Sequence, residues 1–182
     1  MKKFFTLLLI IIISIFIGAI YGILHDQFTY SISPEYYTKF KFSQFGLTEN
    51  GATEQNPRLM AAIVGIMSTW WMGLIIGAIL GLVALIHKNW ETMLKVAIKA
   101  IFITIAIAFS VGLIGLLYGY ISSENQSEPS MMYYHYIIGI VTDVNSFEMV
   151  GSMHNFSYIG GILGMITGTL YIINQKVKFT QI

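Results

Sequence analysis

FFTLLLIIIISIFIGAIYGIL, residues 4–24, is an apolar run of 21 residues interrupted only by threonine, serine and glycine. At a rise of 1.5 Å per residue, a helix of about 20 residues crosses the hydrocarbon core of a bilayer, which is about 30 Å thick. Signal peptides have a shorter apolar core of about 7–15 residues and an A-x-A-like cleavage site. Gly18-Ala19 resembles such a site only in part. We therefore predict an uncleaved first membrane helix, with a cleaved signal peptide as the alternative.

The composition of the whole chain agrees with a membrane location. Hydrophobic residues make up 55% of the sequence and charged residues 10%, whereas a soluble domain carries about 25% charged residues. The expected solvent is therefore the lipid bilayer. A net charge of +1 does not favour nucleic acid as a partner. The absence of cysteine excludes disulfides, zinc–thiolate sites and iron–sulfur clusters.

Three further apolar runs predict an all-α integral membrane protein with four transmembrane helices. Two long connections on the outer side are each expected to carry a short interfacial segment. The predicted helices cover 4–24, 59–86, 94–121 and 145–173; the outer connections cover 25–58 and 122–144, the inner link 87–93 and the tail 174–182.

The first outer connection begins with His25 to Phe45, HDQFTYSISPEYYTKFKFSQF, the chemically richest stretch of the chain. Ser33 and Pro34 are suited to the N-cap and first position of a helix. We predict a short helix from Pro34 to about Phe40 that lies at the membrane interface. Its expected aromatic anchors are Tyr36, Tyr37, Phe40 and Phe42. In the second connection, the aromatic segment 131–141 is too short to span the membrane and is predicted to be interfacial or re-entrant.

Basic residues are distributed unevenly between the two sides of the predicted membrane. Seven fall on the side that holds both termini, and three fall on the other side. Because lysine and arginine near helix ends favour the cytoplasmic side, we predict that both termini are cytoplasmic. The seven are Lys2, Lys3, Lys88, Lys95, Lys99, Lys176 and Lys178, and the three are Lys39, Lys41 and Arg58.

Two pairs of similar segments indicate an internal duplication. Residues 71–81 (WMGLIIGAILG) align without a gap on residues 158–168 (YIGGILGMITG), and 18–22 (GAIYG) align on 115–119 (GLLYG). We predict a tandem repeat of two helix hairpins in parallel orientation. Small residues four apart let helices approach closely, so the glycines are expected to pack the second helix on the fourth, with a dimer interface as the alternative. These glycines are Gly73, Gly77, Gly81, Gly160, Gly164 and Gly168.

A candidate site lies at the outer ends of the first and fourth helices. His25 and Asp26 close the first helix, and His154 opens the membrane part of the fourth. Both positions lie at similar depth, so a bundle can bring the two histidines together. Histidine with carboxylate suits zinc, copper or non-haem iron, and also general acid–base chemistry. The full candidate set is His25, Asp26, Glu35, His154, Asn155 and Tyr158.

Several observations favour a structural role for these residues instead. The chain has no H-E-x-x-H, E-x-x-H or nucleophile-elbow motif. His25 and Asp26 are adjacent and point about 100° apart on a helix, so they need not share a ligand. Polar residues at the membrane boundary are often only in contact with water and headgroups. His87 and Glu91, spaced i, i+4 in the inner link, are predicted to form a solvated pair.

Arg58 has three candidate partners, which are lipid phosphate, Glu35 and Asp143. His135 lies among aromatic residues and is predicted to belong to the aromatic belt. The sequence does not choose among the partners of Arg58.

The pattern H-D-x-x-T at residue 25, S-P-E-Y at residue 33 and W-W-x-G at residue 70 resembles a group of small bacterial membrane proteins without an assigned activity. The resemblance implies a bacterial inner membrane and carries no information about chemistry. It covers the first half of the chain best.

Two functions remain open from the sequence. The preferred one is a non-enzymatic membrane component, such as an accessory subunit, a lipid-contacting scaffold or a small-solute facilitator, with a membrane-protein partner or a second copy as possible associates. The alternative is a membrane enzyme or metal-handling protein with a divalent metal at the outer-face site. Enzymatic activity is left uncertain, with the balance against it.

Overall fold

The computed structural model describes residues 1–47, 56–125 and 141–180, and every regular element in these ranges is helical. The four long helices are α1 (Lys2–Ile32), α2 (Pro57–Ala84), α3 (Trp90–Asn125) and α4 (Val144–Thr180). A π-helical segment (Tyr36–Lys41) and a one-turn helix (Phe42–Gln44) follow α1. The predicted all-α fold with four helices that can span a membrane is confirmed.

Large apolar side chains remain exposed on the outside of all four helices. Examples are Phe16, Leu24, Leu82, Ile114 and Leu170. Water would solvate such an apolar surface poorly, whereas lipid is the solvent that suits it. All four helices are long and apolar enough to cross a bilayer, so the chain is a multi-pass membrane protein.

The helices pair as two antiparallel hairpins, α1 with α2 and α3 with α4, and contacts between the hairpins are sparser. Glycines permit this close pairing. A Cβ atom on Gly65 would overlap the backbone of Gly22 in α1, so a larger residue would separate the helices. The prediction that the glycines pack the second helix on the fourth is wrong, because each glycine row faces the partner helix of its own hairpin. Gly73, Gly77 and Gly81 face α1, and Gly160, Gly164 and Gly168 face α3.

The two hairpins pack in matching register. Two close contacts of the first hairpin recur in the second between residues that the sequence repeat aligns with them. The matched pairs are Gly22–Gly65 with Gly119–Ser152, and Gly18–Thr69 with Gly115–Phe156. Duplication stays a prediction, and this register is the packing expected from it.

Two helices extend well beyond their predicted ends. α1 continues past residue 24 to Ile32, and α4 continues past residue 173 to Thr180. The extension of α1 carries three buried polar residues, which are His25, Asp26 and Thr29. Because protein rather than lipid covers these side chains, they do not have to lie in a connection outside the membrane helix.

The segment after α1 differs from the predicted interfacial α-helix. It forms a π-helix, although Ser33 Oγ accepts a hydrogen bond from the Tyr36 N–H at 3.3 Å, as expected of a cap. Three of the four predicted anchors, Tyr36, Tyr37 and Phe42, are buried in a core cluster with Phe147 and other residues. The prediction that these three side chains anchor the segment at the membrane interface is therefore wrong. The predicted interfacial segment in the second connection, with His135, lies outside the described residues except for Val141.

The link between α2 and α3 is more buried than expected. His87 is only 2% exposed, and its Nε2 lies 3.2 Å from the Ile172 carbonyl oxygen. The predicted solvated pair with Glu91 is therefore wrong, because α4 covers the imidazole. At the start of α4, Asp143 Oδ1 accepts a hydrogen bond from the Ser146 N–H at 3.1 Å.

We predict that Gly65→Ala separates α1 from α2 and destabilises the protein by about 1–3 kcal/mol, the usual effect of overpacking. The measurement is the thermal unfolding temperature in detergent. Gly161→Ala is the control, because its Cβ would lie 3.6 Å from the Met72 side chain, an ordinary contact. Equal unfolding temperatures for the two variants would contradict the close packing at Gly65.

Candidate metal centre

Three ionisable side chains converge at the end of the bundle where α1 ends and α2 begins, which we call the loop end. His25 and Asp26 come from α1, and His154 comes from α4. Asp26 Oδ1 lies 3.1 Å from His25 Nδ1 and 3.3 Å from His154 Nε2. The two imidazole centroids are 4.7 Å apart. The sequence-based expectation that a bundle can bring these histidines together agrees with this geometry, and we call the three residues the His–Asp–His cluster.

All three side chains of the cluster are removed from solvent. His25 is 5%, Asp26 2% and His154 7% exposed. His25 and Asp26 leave α1 in directions that differ by about 100°, but both find cover because α4 and the π-helical segment close over this end of α1. Their side chains nevertheless meet, since His25 Nδ1 lies 3.1 Å from Asp26 Oδ1.

The hydrogen bonds of His154 assign its ring nitrogens. Nδ1 lies 2.9 Å from the Val150 carbonyl oxygen, which can only accept, so Nδ1 donates. In a neutral imidazole, Nε2 then carries the lone pair, and it faces Asp26 Oδ1. Two acceptors cannot face each other at this distance in a buried site without a proton or a metal ion between them.

His25 is held in a comparable way. Its Nδ1 faces Asp26, and its Nε2 lies 3.1 Å from Ser157 Oγ. Since Val150 and Ser157 both belong to α4, this helix supplies the partner for the outward nitrogen of each ring. Metal-binding histidines use a second hydrogen bond of this kind, which fixes the orientation and tautomer of the ring.

The second carboxylate oxygen of Asp26 adds to the unusual character of the cluster. Within the described part of the chain, Asp26 Oδ2 is buried and makes no hydrogen bond. A buried carboxylate oxygen without a partner is costly. A coordinated cation would satisfy the carboxylate without another protein donor.

Two tyrosines cover the cluster. The Tyr36 ring stacks on the His154 ring, with centroids 5.0 Å apart and an interplanar angle of 29°. The Tyr37 hydroxyl lies 2.6 Å from Thr29 Oγ1. Burial, and next the negative charge of Asp26, raise the pKa of Tyr37 well above its ordinary value. Tyr37 therefore stays protonated and contributes a neutral hydroxyl beside the cluster.

Two cavities meet at the cluster. The smaller, of about 70 Å³, lies between the hairpins and has mainly apolar walls, reaching His25 and Asp26. The larger, of about 410 Å³, lies between α2, α4 and the π-helical segment, and it is bordered by His154 and Lys41. Ser68, His154 and Tyr158 line both cavities. The cluster is thus buried but adjacent to space that a ligand can occupy.

Lys41 places a positive charge beside the larger cavity. Its Nζ donates a hydrogen bond of 2.9 Å to Gln44 Oε1. It also lies 5.4–5.8 Å from the ring centroids of Tyr36, Phe40 and Phe45. Burial lowers the pKa of Lys41, and the charge of Asp26 opposes this shift.

Glu35 does not join the cluster, so the expectation that it belongs to the same site as the histidines is wrong. Its carboxylate accepts hydrogen bonds of 2.8–3.2 Å from the backbone N–H groups of Thr142 and Asp143, and one of 2.9 Å from the Thr142 hydroxyl. The Asp143 N–H is the main cause that lowers the pKa of Glu35 below its ordinary value. Through these hydrogen bonds, Glu35 instead links the segment after α1 to the residues that lead into α4.

The remaining candidates border the site. Asn155 is exposed and lies at the edge of the larger cavity. Tyr158 lines both cavities, and its ring stacks with Trp71 at 6.5 Å between centroids. Arg58 donates hydrogen bonds to Gln27 and Ser31, which are not among the partners that the sequence suggested.

Sequence inspection missed several residues that shape the site. Ser157 follows His154 by three positions, so helical spacing could have placed it on the same face. Lys41, Tyr36 and Tyr37 lie in a segment that resembled an interfacial helix, and only the tertiary fold turns them inward.

No protein-family model, curated protein or solved structure matches the chain. The function is therefore inferred from the cluster and its surroundings. The resemblance to small bacterial membrane proteins stays a prediction.

We predict that Glu35→Gln removes an acid-sensitive part of the stability. A carboxyl group with a lowered pKa in the folded state stabilises the fold above its ordinary pKa of 4.5, and this contribution is lost as the pH falls through the folded-state value. Because Glu35 is largely exposed, the effect at neutral pH should stay below about 1 kcal/mol. Thermal unfolding in detergent across an acidic pH series measures it.

Glu91→Gln is the matched control, since Glu91 is exposed near the start of α3. Its unfolding temperature should follow the wild-type pH dependence, whereas Glu35→Gln should show a weaker one. Superimposable curves for Glu35→Gln and wild type would refute the role of Glu35.

Proposed function

We propose that the chain is an integral membrane protein that binds a divalent transition-metal ion through His25, Asp26 and His154. The observation that carries the proposal is the distance of 3.3 Å between His154 Nε2 and a buried carboxylate oxygen of Asp26, in a ring whose Nδ1 already donates to the Val150 carbonyl oxygen. A metal ion between these atoms converts their repulsion into coordination. Imidazole and carboxylate together suit zinc, iron and copper.

The spacing of the ligand atoms supports coordination. Bonds of about 2.0–2.1 Å place adjacent ligand atoms roughly 3.0 Å apart in an octahedral site and roughly 3.4 Å apart in a tetrahedral site. The separations of 3.1 and 3.3 Å around Asp26 Oδ1 lie between these values. The three ligand atoms all lie within 4.8 Å of one another. Metal binding therefore requires only small side-chain movements.

The number of protein ligands favours a metal ion that keeps one coordination position open for water or substrate. Structural zinc sites have four protein ligands, whereas catalytic sites have three and keep a position open for water or substrate. The cluster has three candidate ligands among the described residues and borders both cavities. A metal held in this way polarises a bound ligand or lowers the pKa of bound water. We therefore favour the metal-handling or enzymatic function over a purely structural component.

The distribution of basic residues supports a specific membrane orientation. With seven basic residues on the side of the termini and three on the loop side, both termini face the cytoplasm and the cluster lies near the outer surface. We propose a bacterial inner membrane as the location, on the resemblance described above. The lipid bilayer is then the first partner of the chain, and a membrane-protein partner or a second copy remains part of the proposal.

We predict about one metal ion per chain in protein purified without chelator, measured by elemental mass spectrometry. His25→Ala and His154→Ala should each lose the metal. His87→Gln is the control, because it removes a buried imidazole at the opposite end of the bundle. Chelator should lower the unfolding temperature of wild type, since a metal that binds only the folded state stabilises it.

A different outcome is expected if a proton occupies the space between His154 and Asp26. Wild-type protein would then hold no metal even after incubation with zinc, iron or copper salts, and nitrogen NMR would show His154 protonated on both ring nitrogens. That combination would overturn the proposed function.

We predict that Ser157→Ala weakens metal affinity about 10–100-fold, the usual effect of removing a partner of a ligating histidine. The ligands stay in place, so the metal stoichiometry at saturation should not change. Competition with a metal-chelating dye measures the affinity. Ser110→Ala is the control, because among the described residues the Ser110 hydroxyl bonds only the Ala106 carbonyl of its own helix. Equal affinities for the two variants would contradict this role of Ser157.

A further inference from the structure

We infer that the larger cavity binds a phosphate monoester group, with Lys41 holding the phosphate beside the metal position. The cavity of about 410 Å³ is bordered by both Lys41 and His154. The inference rests in part on the proposed function, because the metal ion sets the charge that the ligand must balance. It adds a substrate class that the cluster alone does not define.

The cavity has the form of a ligand site. Its volume of about 410 Å³ falls within the range of about 300–1,000 Å³ that is common for small-molecule sites. Buried residues form its floor and exposed residues form its rim, so it is open to ligands from outside. The floor includes Tyr36, Lys41, Phe147 and His154, and the rim includes Gln44, Met67, Trp71 and Asn155.

Lys41 is a cation prepared for an anionic ligand. It is 9% exposed and forms no ion pair with a carboxylate among the described residues. Gln44 Oε1 takes one of its three donor positions. The aromatic rings around Nζ offset part of the desolvation. A buried ammonium with donor positions left over is costly unless a ligand completes its hydrogen bonds.

Charge balance selects the class of anion. A divalent metal ion, the Asp26 carboxylate and the Lys41 ammonium leave two positive charges around a buried space when both histidines are neutral. A carboxylate ligand would neutralise one of them. A phosphate monoester carries about −1.5 to −2 charge at neutral pH and offers three acceptor oxygens, so it can neutralise both charges.

The phosphate can come from a soluble molecule or from a lipid. The rim lies between α2 and α4, beside the exposed Trp71, and tryptophan is enriched at the level of lipid headgroups. Both sources present the same phosphate monoester chemistry to Lys41. Two probes, inorganic phosphate and phosphatidic acid, distinguish them.

The test titrates metal-loaded protein in an uncharged, phosphate-free detergent with inorganic phosphate, or with phosphatidic acid in the same micelles. Calorimetry measures the affinity. Wild type should bind at least one probe saturably. Lys41→Met should weaken that binding about tenfold or more, as expected for a lost charge-assisted hydrogen bond. Lys41→Arg should recover most of it.

Lys39→Met is the matched control, because Lys39 lies in the same π-helical segment but is exposed and outside the cavity lining. It should bind the probes as wild type does. Equal loss in Lys39→Met and Lys41→Met would overturn the inference, as would the absence of saturable binding of both probes to wild type. If Lys41→Met does not fold, phosphorus NMR of the two probes with wild type replaces the comparison. A saturable change in the probe signal supports the inference, and its absence overturns it.

Metal content measured on the same samples separates the two proposals. Metal-loaded protein that binds neither probe would refute the phosphate site and leave the metal site intact. Protein that takes up no metal after incubation with zinc, iron or copper salts but binds a probe through Lys41 would support the phosphate site and refute the proposed function.

Discussion

The buried carboxylate of Asp26 links the two hairpins of this protein. One of its oxygens lies within hydrogen-bond distance of His25, its own neighbour in α1, and of His154 in α4. Near the chain termini, by contrast, apolar side chains such as Ile10, Ile101 and Ile172 fill the core. At the loop end the polar contact adds to the apolar packing of Val64, Phe147 and Val150. The polar contact requires a proton or a metal ion between Nε2 and the carboxylate, because His154 Nδ1 already donates to Val150 and a neutral ring would direct a lone pair at Asp26.

Helix pairing and site formation use different chemistry in this bundle. Within each hairpin, glycines bring the backbones close, so that packing replaces the hydrophobic drive that lipid cannot supply. Between the hairpins the contacts are sparser, and this leaves the cavities that reach the cluster. Tyr36 and Tyr37 close the loop end over His154. A polar site can thus exist inside a protein whose outer surface is apolar.

The segment after α1 shows where sequence patterns stop being informative. Its aromatic residues and lysines are typical of a membrane interface, yet Tyr37 is fully buried and Lys41 nearly so. Glu35 was a candidate for the site with the histidines, but its carboxylate instead accepts hydrogen bonds from Thr142 and Asp143. Glu35 and Tyr37 contact Thr142 and His154, which are far away in sequence, so local spacing could not identify these partners.

The sequence by itself determined the membrane class, the four helices and the two histidines at matching depth, because apolar length and residue spacing are local properties of the chain. Only the tertiary structure decided that α1 continues through His25 and Asp26, that Ser157 and Val150 orient the imidazoles, and that Lys41 faces the cavity at His154. These features depend on how α4 and the π-helical segment close over α1. Such contacts arise from packing between distant segments, and no local pattern encodes them.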